Sequence, residues 1–136
     1  MKATKSSKNA TPTAGHAEAA RRAQEAIKKD PEPPESYTAL AGALRMHAQS
    51  IHARTPEAAD NLLRLACAAA WEAKRRSTSA LISGRTKQEV KILTAWLRTK
   101  NHLTPEAAEV MMEEIRAGYL AQALESAAVF SGAGSR

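Results

Sequence analysis

A chain of 136 residues with 43% hydrophobic content is sized for one domain with a thin core, because much of that apolar content is alanine and only Tyr37, Trp71, Trp96, Tyr119 and Phe130 are aromatic. The single cysteine, Cys67, excludes an internal disulfide framework and a multi-cysteine zinc site and suits a reducing, cytoplasmic setting. The longest apolar run, Leu65 to Trp71, falls far short of the roughly 20 residues that cross a bilayer, so no membrane partner is expected.

The net charge of +6 is unevenly spread. Residues 1–30 carry seven Lys/Arg against three Asp/Glu and residues 78–103 carry five against one, whereas residues 104–136 carry two against five. A chain divided in this way can hold a polyanion with one region and offer the other to a protein or to a second copy of itself.

In chain order, residues 1–13 are rich in Lys, Ser, Thr and Ala and hold one large apolar side chain, Met1, which predicts a disordered basic tail with no secretory h-region. Residues 14–34 combine a strongly helix-forming stretch, whose only large apolar residue is Ile27, with Pro31, Pro33 and Pro34. They are expected to form a weakly docked helix and an extended linker. A helical domain over 35–130 and a flexible C-terminus over 131–136 follow.

The first helix of that domain places Tyr37, Leu40, Leu44, Ala48 and Ile51 on one face. Thr55-Pro56-Glu57-Ala58-Ala59 then supplies an N-cap hydroxyl and a proline at the first helical position. It opens a central helix to about Ser77 that is apolar over most of its circumference. Ser79 to Gly84 reads as a connection, and Thr86 with Glu89 matches a capping box for a helix over about 87–100. The same pentapeptide recurs at Thr104 to Ala108, with Leu103 placed to staple onto Ala108, and opens what is expected to be the longest helix. The fold class is all-α: a small bundle of about four to five helices, arranged as two helical hairpins behind a disordered basic N-terminal tail.

No stretch spells catalytic chemistry. His47 and His52 are about 140° apart on a helix and cannot share a metal as an i, i+4 pair would, and no ligand pair has a metal-site spacing, so a metal or catalytic site would have to be gathered from separate helices around His47, Cys67 and His102, which is the least favoured reading. Glu106, Glu109, Glu113 and Glu114 sit in the first turns of the last helix, where its dipole favours negative charge, which is a structural role. No enzyme activity, metal or cofactor is expected.

Two surfaces stand out. Lys87, Lys91 and Arg98 share one side of the fourth helix, with Arg85 just before it and Lys100 at its end, a stripe able to lie along a phosphate backbone. Trp71 lies off the main apolar face of the central helix on the side of Arg64 and Arg75, with Lys74 and Arg76 close by; packing under a neighbouring helix is the slightly favoured reading, and otherwise the indole can stack on bases or anchor a protein contact. Leu120, Leu124 and Ala127 form a further apolar stripe that self-association or a protein partner would cover.

The leading expectation is a non-enzymatic binding protein acting on or beside nucleic acid through the tail and the basic helix face. The alternative is a helical adaptor or inhibitor, in the general character of plasmid and phage accessory proteins. It would hold a protein or nucleoprotein complex through Trp71 and Arg75 or through Leu120 and Leu124.

Overall fold

The computed structural model describes the backbone of residues 12–77 and 82–125, with side chains from Gly15 onward. Most of the basic tail, the 78–81 part of the connection and the segment 126–136, with Ala127 and Phe130, lie outside the described residues. Among the described residues there are five helices and no strand: α1 (Pro12–Lys29), α2 (Pro34–Ile51), α3 (Pro56–Arg76), α4 (Gly84–Asn101) and α5 (Pro105–Ala123). No helix among them is long and apolar enough to cross a membrane.

Four of the five helices begin on proline, at Pro12, Pro34, Pro56 and Pro105. At that position the missing N–H would be unsatisfied anyway and the fixed φ already suits the helix. The two Thr-Pro starts then differ. Thr104 caps α5, its Oγ1 accepting from the Ala107 N–H at 3.1 Å. Thr55 makes no such cap, because its hydroxyl donates back to the Ile51 carbonyl at 3.2 Å. Thr104→Ala is therefore expected to cost about 1 kcal/mol in chemical denaturation and Thr55→Ala only a few tenths.

The capping box expected at Thr86 and Glu89 is not formed. Ser83 is the N-cap of α4, and its Oγ accepts from the Thr86 N–H at 3.1 Å. The two expected partners serve tertiary contacts instead. Thr86 shares a buried 2.8 Å hydroxyl contact with Thr38 of α2. The Glu89 carboxylate receives a two-pronged hydrogen bond from Arg45, Nε to Oε1 and Nη2 to Oε2, each 2.9 Å. Gly42 makes room for it, since a Cβ there would lie 3.1 Å from Glu89 Oε2.

The core is organised around α3. Leu62, Leu65, Ala66, Cys67, Ala69 and Ala73 are fully enclosed, and the alanines let neighbouring helices approach closely. At 21 residues α3 is the longest described helix, ahead of the 19 of α5. It packs most extensively on α2, then on α5 and α4, while α4 and α5 touch each other little. The second helical pair is therefore held mainly by α3, which leaves clefts between its two members.

Helix α1 is docked more firmly than its composition suggests. Ala17, Ala20, Gln24 and Ile27, spaced by three, four and three residues, are buried along α2 and form part of the same core. Gln24 Nε2 also donates to the carbonyls of Ala123 at 2.9 Å and Glu125 at 3.0 Å, tying α1 to the end of α5. The compact unit thus begins well before residue 35.

A polar seam joins α3 to α5. Glu72 is only 2% exposed and its carboxylate is held by Arg76 from its own helix and by Arg116 across the interface at 3.4 Å. Arg116 in turn grips Glu113.

His47 is fully enclosed on α2, with neither ring nitrogen hydrogen-bonded. Burial, with a further contribution from His16, holds its pKa below the ordinary value near 6.5. The unfolded chain therefore binds the proton more readily, so stability falls as pH drops below about 6.5, by at most about 1.4 kcal/mol per pH unit for one proton. Urea midpoints measured between pH 7 and pH 5 are expected to decline, and His47→Met is expected to flatten that decline.

Candidate functional site

The two surfaces seen in the sequence meet in one place. Helices α3 and α4 pack side by side, so the half-buried Trp71 and Lys74 of α3 face Lys91, Thr94 and Arg98 of α4 across a groove of about 380 Å³, with Pro105 and Glu109 of α5 on its far wall. A second hollow of about 180 Å³ continues it toward the start of α4 and adds Lys87 and Ile82. The two hollows are adjacent, both bordered by Lys74, Val90 and Lys91, and are together called the trough. From Lys87 to Arg98 it follows α4 for roughly 16 Å, at 1.5 Å per residue.

The electrostatics of the trough are one-sided. Lys87 and Lys91 are exposed and have no carboxylate within ion-pair distance among the described residues. Lys74 carries its ammonium over the Trp71 ring, 4.2 Å from the centroid. Arg98 donates through Nε to the Leu103 carbonyl at 3.1 Å, which fixes its stem and leaves its other donors without a hydrogen-bond partner among the described residues. Four cations stand around the trough against the Glu109 carboxylate on its wall and the Glu113 carboxylate behind Trp71, the latter already paired with Arg116. Cations that the fold leaves unneutralised and lines up along one helix suit a polyanion.

Trp71 is oriented by its own structure. Its indole N–H donates to Glu113 Oε1 at 3.0 Å, and Arg116, chiefly, together with this bond holds the Glu113 carboxyl below its ordinary range. The ring edge is thus anchored to α5 while part of the ring lines the groove.

The other expected site residues are elsewhere. Arg85 is exposed beside Glu35 and Thr38, at the start of α2. Lys100 pairs with Asp60 at 2.7 Å. On an ideal helix these two fall roughly 140–160° from the middle of the Lys87, Lys91 and Arg98 stripe, so helical spacing separates them from it. Arg64 lines a different groove, between Trp96 and Met111, and Arg75 leans on Glu72 at 3.6 Å. Leu120 and Leu124 do not form a free stripe, because both are partly buried against the core. Lys74 is the member of the trough that gains most from the tertiary structure, since its nearness to Lys91 depends on how α3 lies against α4.

The residues considered for a metal are dispersed. His102 is exposed in a left-handed conformation, φ 56°, at the end of α4. Cys67 is enclosed and burial pushes its thiol up to about 12, far from the thiolate that a metal or an electrophile needs. Among the described residues no three His, Cys, Asp or Glu gather where they could hold a metal. No family model, curated protein or solved structure matches the chain.

Proposed function

We propose that this is a non-enzymatic nucleic-acid-binding protein that holds the sugar-phosphate backbone along the trough between α3 and α4. The supporting observation is the grouping of Lys74, Lys87, Lys91 and Arg98 from two helices around a half-buried Trp71. Each cation supplies a phosphate contact whose energy comes largely from counterion release. Lys2, Lys5 and Lys8 in the N-terminal segment add charge of the same sign and strengthen a sequence-independent attraction.

The test is fluorescence anisotropy with a labelled oligonucleotide across a salt series. Four phosphate contacts correspond to a loss of affinity of roughly 50-fold or more between 50 and 200 mM salt. Tight binding that is insensitive to salt, or the absence of binding at low salt, contradicts the proposal.

A further inference from the structure

We infer that the trough takes single-stranded nucleic acid, with one base stacked on the indole of Trp71. This deepens the function proposed above and rests on it. Three features separate such a site from a plain phosphate-binding strip.

The first is shape. The cations stand around a hollow of about 380 Å³, large enough to admit a base, whereas a duplex keeps its bases stacked inside and presents only its outer backbone. Strands whose bases can splay out are the ones held by a basic groove with an aromatic platform in it.

The second is the platform itself. Trp71 is held by the bond from its indole N–H to Glu113 and borders the groove, so little ordering cost remains when a base stacks on it. The Lys74 ammonium over the ring is carried on a flexible stem and can exchange the ring for a phosphate.

The third is the carboxylate of Glu109 on the far wall. It opposes phosphate at that point, but a carboxylate accepts hydrogen bonds from the amino group of a base.

The experiment compares three probes on the full chain: a mixed-sequence single strand of about twelve nucleotides, the same strand annealed to its complement, and inorganic polyphosphate. Emission is read in a Trp96→Phe background, where Trp71 is the remaining tryptophan, and affinity is read separately on wild type and Trp71→Leu. The expected result is quenching of Trp71 by the single strand alone. Affinity for that strand should fall about tenfold in Trp71→Leu, while polyphosphate binding is unchanged. Equal binding of strand and duplex without quenching, or an equal loss for all three probes in Trp71→Leu, overturns base stacking and leaves the backbone contacts standing. Failure of wild type to bind any of the three overturns this inference together with the function beneath it.

Discussion

Arg45→Met is expected to lower the melting temperature by about 10 °C. The guanidinium and the Glu89 carboxylate face each other through two parallel 2.9 Å bonds, with 16% and 9% of their side chains exposed. Removing the arginine leaves a carboxylate enclosed between α2 and α4 without its partner. That costs about 3 kcal/mol, at the low end for a buried pair because some water reaches Arg45. The pair itself contributes much less, since desolvation offsets most of its attraction. Arg45→Met combined with Glu89→Met is therefore expected to recover most of the lost stability. Thermal denaturation of the two single variants and the double variant checks this. Additive losses in the double variant would show that α4 depends on the ion pair itself and not merely on avoiding an unpaired charge.

The helical order was legible because its punctuation is local. Thr-Pro at Thr55 and Thr104 marks the starts of α3 and α5, and the spacing of Tyr37, Leu40, Leu44 and Ile51 marks the buried face of α2. The same proline rule applies at Pro12 and Pro34. Around the second of these, Pro31, Pro33 and Pro34 read together as an extended linker, and the last of them in fact opens α2. The docking of α1 was not legible for a related reason. Large apolar residues dominate a hydrophobicity pattern, but Ala17 and Ala20 contribute by being small enough to bring two backbones together. The Gln24 contacts to Ala123 and Glu125 span about a hundred positions of sequence, and nothing local announces them.

The candidate site was half legible. Helical spacing places Lys87, Lys91 and Arg98 together, and the same arithmetic separates Arg85 and Lys100 from them. It cannot show that Trp71 and Lys74 stand across from Lys91, because that depends on how α3 and α4 lie against each other. Glu89 shows the converse: its position relative to Thr86 fits a cap, yet a partly buried arginine from another helix holds it.

Neutralising the trough is the second large effect expected. Lys74→Gln, Lys87→Gln, Lys91→Gln and Arg98→Gln together remove four cations that make no ion pair among the described residues, at the cost of the exposed Arg98 bond to the Leu103 carbonyl and the Lys74 contact with the Trp71 ring, so helicity and melting temperature should change little. Surface substitutions away from caps and cores usually stay within about 0.5 kcal/mol each. Nucleic-acid affinity at low salt should fall by two orders of magnitude or more. An equivalent change of Arg85 and Lys100, which lie off the trough, should reduce affinity only slightly.

The most direct measurement is the slope of log affinity against log salt concentration for wild type and the four-glutamine variant, using one labelled oligonucleotide. Binding along the α3/α4 trough predicts a wild-type slope of about −3 or steeper and a variant slope shallower by about 3. Parallel lines of equal slope for the two proteins would place the phosphate contacts elsewhere on the chain and contradict the account.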